Sequence, residues 1–151
     1  MRLTKFSDYS LRVLIYLAVH DDRPVAIGEV SRAYHVSKHI VVKVAQRLVA
    51  DGLVKSVRGR HGGIRLNRAP HDINVGALVR RTEASWDLVE CFDKKTNTCP
   101  IEPVCGLERA LTRAHRAFMD VLDEYTLADC LSRAPTLRHL LRVSLERRPA
   151  S

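Results

Sequence analysis

The run IGEVSRAYHVSKHIVVKVAQRLVADG, residues 27–52, decides the fold. Its opening segment places Ile27, Val30 and Tyr34 at helical spacing. His35-Val36-Ser37 then interrupts the pattern, and Ser37 is of the type that caps a following helix. That helix is predicted from Lys38 to about Asp51, and Gly52 stops it. Val41, Val44, Ala45 and Leu48 share one of its faces, whereas His39, Val42, Lys43 and Gln46 share the opposite one, with Lys38 at the start. A short helix, a three-residue turn and a helix with a polar, basic outer face form a helix-turn-helix.

The flanks extend this unit. Upstream, Thr4 suits an N-cap for a helix ending near His20, with Phe6, Ser10, Val13, Leu14, Leu17 and Ala18 on one stripe. Leu11 and Ile15 lie off that stripe, so the helix is expected to be covered on more than one side. Downstream, the β-rich runs Leu53 to Arg58 and Ile64 to Asn67 are joined by Gly59-Arg60-His61-Gly62-Gly63, a hairpin with a glycine-rich tip. A helix-turn-helix followed by such a hairpin is a winged helix, which expects duplex DNA as its partner. In the major groove, His39 and Gln46 suit base edges, Val42 suits a thymine methyl, and Lys38 and Lys43 suit phosphates. Arg58, Arg60 and His61 are placed to enter a narrow, negative minor groove, and contact with phosphate alone is an open alternative for Arg58.

A fourth helix, about Val75 to Ala84, leads through Trp86, read as a packing residue, into CFDKKTNTCPIEPVC at 91–105. Cys91, Cys99 and Cys105 are spaced Cys-x7-Cys-x5-Cys in a segment too polar and proline-rich for a buried helix. Soft thiolates suit zinc or an iron–sulfur cluster, and three are one short of the usual four. Another residue, solvent or an exogenous ligand would complete such a site; reduced surface thiols or a disulfide are what the spacing leaves open. From Leu107, apolar positions 107, 111, 114, 118, 121 and 125 alternate steps of four and three, a heptad seam expected to pair with a second copy. So short a seam could also pack on the chain's own core. Thr126 to Asp129 has the shape of a capping box, and Leu131 to Leu145 reads as a short helix on the dimer arm, with Cys130 as a small buried residue of that helix. The tail Arg147 to Ser151 is expected to fray.

The bulk properties agree with this division. A chain of 151 residues supports one sizeable core or a small domain with an extended arm. Residues 1–75 hold 13 Lys and Arg against 6 Asp and Glu, whereas residues 76–151 hold 12 against 11. The basic first half is therefore expected to meet a polyanion. No stretch reads as a secretory signal or a membrane span, which places the protein in the cytoplasm, where thiols stay reduced. The chain shows no catalytic grouping and no phosphate-binding glycine loop before a helix, so no enzymatic activity is expected. The fold class is mainly α with a small β-hairpin: a winged helix-turn-helix over 1–75, then a cluster-binding loop and a long C-terminal dimerisation helix with its companion over 76–151.

Taken together, MRLTKFSDY at 1–9, the helix-turn-helix, Val57-Arg58-Gly59 with Gly62 to Leu66, the three cysteines, and Tyr125-Thr126-Leu127-Ala128-Asp129 resemble the Rrf-type winged-helix regulators, and among them the nitric-oxide-sensitive iron–sulfur repressors. The resemblance runs nearly the whole chain. It implies a homodimeric repressor of double-stranded operator DNA with one iron–sulfur cluster per subunit on Cys91, Cys99 and Cys105, 4Fe-4S favoured over 2Fe-2S. One branch of the family carries a histidine two residues after the last cysteine; here that position is Leu107. Another carries an aspartate in the first helix, matched by Asp8, which reaches the partner subunit's cluster. Taken alone, Asp8 reads as an acid favourably placed near a helix N-terminus. The resemblance further implies that nitric oxide is the signal and that nitrosylation releases the operator. The rival readings are a related regulator sensing cluster supply, iron or redox state, a zinc-holding dimer that binds DNA constitutively, and an electron-transfer protein.

Overall fold

Thr4 opens the first helix, its Oγ1 accepting the Ser7 amide at 3.2 Å. In the computed structural model, which describes residues 2–146, helix α1 spans Lys5–Val19, α2 Ile27–Ala33 and α3 Lys38–Ala50. Met1 and the expected frayed tail lie outside the described residues. Val13, Leu14, Tyr16, Leu17 and Val19 of α1 are buried, as are the expected Val41, Val44, Ala45 and Leu48 of α3. Helix α1 packs against α3, the hairpin, and two later helices, α4 (Val75–Thr82) and α6 (Ala134–Glu146), which accounts for the half-buried Leu11 and Ile15 off its main stripe.

The turn between α2 and α3 is closed by its own backbone. Val36 donates to the Ser31 carbonyl at 3.0 Å, and Ser31 Oγ returns a bond to the Val36 carbonyl at 2.6 Å. His35 turns the chain with φ +52°, a left-handed conformation that few side chains adopt. Ser37 holds the N-cap position in extended backbone, but its hydroxyl makes no cap bond; its carbonyl receives the amides of Ile40 and Val41.

Strands β1 (Val54–Val57) and β2 (Gly63–Leu66) pair antiparallel, with Val54 opposite Leu66 and Val57 opposite Gly63. Val25, just before α2, joins the hairpin by two bonds to Ile64, each 2.9 Å. The tip glycines have separate reasons. Gly59 holds φ +112°, and a Cβ on Gly63 would run into the Val25 carbonyl. Part of the glycine richness at the tip therefore serves the fold itself.

Helix α4 spans Val75–Thr82, two residues shorter at its C-terminus than expected, capped by Asn74 Oδ1 on the Ala77 amide at 2.8 Å. Helix α5, Gly106–Asp123, lies against it. Arg80 forks onto both oxygens of Asp123 at 2.6 and 2.5 Å, and Asn74 donates to the Asp123 carbonyl at 2.7 Å. Val75, Val79 and Met119 form a small second core with Trp86, Phe118 and Leu122 around it.

The last segment differs from expectation in two respects. Asp129–Leu131 is a 3-10 turn, in which Thr126 donates its amide and hydroxyl to Asp129 at 2.7 and 2.6 Å; helix α6 begins only at Ala134 and ends at Glu146. Cys130 therefore belongs to that turn and not to the helix. Nor is the dimer arm the principal neighbour of α6. It packs on α2 and α1, burying Leu141 in the main core with Leu137 and Leu145 beside it. Arg138 ties it to the Val19 carbonyl at 2.5 Å, and Ser144 to the Ala33 carbonyl at 2.7 Å. Among the described residues, no helix is long and apolar enough to cross a membrane.

Candidate nucleic-acid interface and metal centre

On α3 the buried face is fully committed to the core, so the opposite face is the one left to read a partner. Lys38, His39, Lys43 and Gln46 are exposed there, with Val42 half-buried between them. Arg58, Arg60 and His61 are exposed at the hairpin tip. Some other cations of this half are tied down: Arg47 to Asp51 at 3.0 Å and to the Arg81 carbonyl, Arg65 to the Asp21 carbonyl, Arg23 to Glu29 at 2.6 Å. Among the described residues, the side chains expected to meet DNA hold no intramolecular bond that a phosphate or base would have to break.

The Glu29 carboxylate resists burial, which would push its pKa up, because Arg23 and the buried Tyr16 hydroxyl both donate to it and bring it below the ordinary value. This knot sits at the start of α2 and fixes the helix-turn-helix on α1.

The cysteine segment organises itself with polar turns. Glu90 accepts the Thr98 amide at 2.8 Å and its hydroxyl at 2.6 Å, Asp93 accepts Lys95 and Thr96, and Asn97 Oδ1 accepts the Cys99 amide at 3.0 Å. Cys105 occupies the N-cap position of α5. All four cysteines are free thiols and half-buried, so no disulfide joins them. Burial pushes the Cys91 thiol up, and charge on Cys99, Cys105 and Glu108 adds to the effect. Thiolates close to one another repel unless a cation offsets them.

Among the described residues, no three ligand-type side chains are gathered around a single point. A lone tetrahedral zinc, with Zn–S of about 2.3 Å, requires sulfurs within about 4 Å of one another. The thiols of a cluster bind different metal atoms and stand further apart. Three soft donors on one segment of chain, none consumed in a disulfide, are of the type a cluster takes.

Asp8 is engaged by a cation of its own helix and not by any cysteine: Arg12 meets both its oxygens at 2.8 Å. The same guanidinium lies 5.7 Å from the ring centre of Tyr9 and 5.8 Å from that of Tyr34, the C-cap of α2. Burial pushes the Tyr34 hydroxyl up to about 12, against the opposing charge of Arg12. Nothing in the sequence pattern marked Arg12 beyond its i,i+4 spacing from Asp8.

Trp86 is a packing residue as expected, its ring 5.0 Å from that of His115 and 6.5 Å from Phe118. With Cys91, Glu108, Thr112 and His115 it lines an open hollow beside the cysteine loop. Leu107 is 64% exposed and Val121 is also exposed along the seam of α5; Tyr125, the last expected seam position, is exposed but lies beyond the end of the helix. Cys130 is half-buried beside the second core and donates to the Thr126 carbonyl.

Comparison with known proteins converges. The family model described as Rrf2, iron-dependent transcriptional regulator, matches residues 3–133. The HTH-type transcriptional regulator NsrR of Bacillus licheniformis is 45% identical over 142 residues, spanning 93% of this chain and 99% of that protein. A transcriptional regulator from Listeria innocua superposes with a TM-score of 0.72 at 32% identity over 88% of each chain. T. potens IscR superposes with a TM-score of 0.71 at 27% identity, over 89% of this chain and 88% of its own.

Proposed function

The chain belongs to the Rrf2 family of transcriptional regulators, and on that premise we propose that it is a homodimeric repressor which binds operator DNA, carries one iron–sulfur cluster per subunit, and releases the operator when nitric oxide attacks that cluster. The observation that carries this reading is the set of three free thiols on one loop, Cys91, Cys99 and Cys105, placed between the DNA-reading fold and α5. Residues 1–75 read DNA in this proposal, and residues 76–151 hold the cluster and the dimer contact.

Cys91, Cys99 and Cys105 would supply the three thiolates, in a 4Fe-4S cluster by preference over 2Fe-2S. Asp8 would supply an oxygen ligand to the partner subunit's cluster. When bound, such a group offers iron with one weakly held oxygen position, a target for nitric oxide as a strong-field ligand. The exposed seam of Leu107, Val121 and Tyr125 supports pairing through α5.

The chain's own residues then transmit the change. With Asp8 bound across the dimer, α1 is tied to the partner's cluster loop; once freed, the carboxylate has Arg12 at 2.8 Å to receive it. Helix α1 packs directly on α3, so a shift of α1 carries the reading face with it. Two such faces must match half-sites about 34–36 Å apart. A coupling of about 1–3 kcal/mol is enough to bias the two dimer geometries.

The test is anaerobic purification with measurement of absorption spectrum and iron content, then operator affinity before and after stoichiometric nitric oxide. Iron-loaded protein that loses affinity on nitrosylation supports the proposal. Iron-free protein with full affinity overturns it, and iron-loaded protein indifferent to nitric oxide points to a regulator of cluster supply, iron or redox state.

A further inference from the structure

His115 stands out among the polar groups outside the assigned ligand set. Its Nε2 is buried and, among the described residues, has no hydrogen-bond partner. A buried imidazole nitrogen left unpaired carries an uncompensated desolvation cost, so a partner is to be sought nearby. Helix α5 starts one residue after Cys105, and its positions 108, 112 and 115 recur at i, i+4 and i+7, one face of the helix. Glu108, Thr112 and His115 all line the hollow that also exposes Cys91. Trp86 lies 5.0 Å from the His115 ring at a tilt of 32° and restricts how it can turn. On that face Thr112 donates to Glu108 Oε1 at 2.9 Å, and neither of them bonds to His115.

We propose that His115 is a positioning residue for the iron–sulfur centre: its Nε2–H donates a hydrogen bond to a sulfur of the cluster or to the Cys91 thiolate, with Trp86 holding the ring. This rests on the preceding functional reading. Hydrogen bonds to sulfur are among the features that set the reduction potential of such centres, because they stabilise the more negative, reduced state. Outer-shell partners of metal ligands also govern retention, typically by 10–100-fold. The residue is thus a tuning element on a helix that otherwise serves dimer contact, not a fourth ligand.

The experiment compares wild type, His115→Phe and His115→Gln after anaerobic cluster reconstitution. Phenylalanine keeps the aromatic stack on Trp86 and removes the donor; glutamine restores an N–H. Expected are a lower reduction potential and about tenfold faster cluster loss in the phenylalanine variant, with both partly restored by glutamine. Wild type should also show a shift of iron–sulfur vibrational bands on exchange into deuterated water, absent from the phenylalanine variant. Thermal unfolding of the cluster-free proteins checks that the fold survives. If wild type holds iron and the phenylalanine variant matches it in potential, loss rate and isotope shift, the His115 assignment is overturned and the functional reading stands. If wild type holds no iron, both fall.

Discussion

Asp8 and Arg12 form a two-pronged ion pair on α1, and the Arg12 guanidinium is at the same time set between the rings of Tyr9 and Tyr34. The only carboxylate expected to serve the partner's cluster is therefore joined, through one side chain, to the residue that ends the first helix of the helix-turn-helix. Both members of the pair are 43% exposed, so the pair itself contributes little to stability. Replacing Arg12 by Leu should lower unfolding free energy by only about 0.5–1.5 kcal/mol, from a partly screened ion pair and its aromatic contacts. Urea denaturation measures this, and a loss beyond roughly 3 kcal/mol would mean that Arg12 is a core support instead.

The α4–α5 contact is sensitive to acid. Hydrogen bonds from Arg80 hold the Asp123 carboxyl below its ordinary value of 3.8, against a smaller opposing effect of burial. A carboxyl depressed in the folded state stabilises the fold above its unfolded pKa, and that contribution disappears as pH falls through the lower folded value. The acid limb of melting temperature against pH should therefore fall below about pH 4 in wild type and be flatter in Asp123→Asn. Parallel curves for the two proteins below pH 4 would remove the pair from the account of acid stability.

Close approach of the wing to Val25 yields a sharper stability prediction. Gly63→Ala forces a methyl group against the Val25 carbonyl. An overpacked site of this kind costs about 1–3 kcal/mol. A melting temperature equal to wild type would show that the wing can lift off Val25 without cost.

For DNA, the lysine and its neighbours on α3 separate by salt. Lys43→Ala should weaken binding to all sequences and lower the slope of log affinity against log salt by about one. Gln46→Ala and His39→Ala should instead lose about 1–3 kcal/mol of discrimination at one base position. Titrations with operator and scrambled duplexes at several salt concentrations decide; an unchanged slope for Lys43→Ala removes it from the phosphate contacts.

How much of this was legible in the chain depended on how local the cause was. The helix-turn-helix was readable because Val41, Val44, Ala45 and Leu48 recur at one period and Gly52 ends it; all four are buried as expected. The hairpin was readable from its glycines, though not their division of labour, since the reason for Gly63 lies at Val25, far off in sequence. Helix α6 begins later than the apolar pattern implies, because Leu131 falls in the turn that follows the Thr126–Asp129 bond. Its seat on α2 and α1 was illegible: amphipathic pattern says that a face is covered, not by what. The cysteine spacing marked the loop, while His115 gave no signal, because a single histidine on an amphipathic helix looks like any other.

One consequence follows from the two bonds that stitch Val25 to Ile64. They fasten the wing to the strand of chain entering α2, so α2, α3 and the hairpin travel as a single stiff tool. Such a tool can be swung but not opened. In the proposed dimer, a pair of them on one duplex would behave like the points of a caliper, and the gap between the points would be what a signal at the far end of the molecule adjusts.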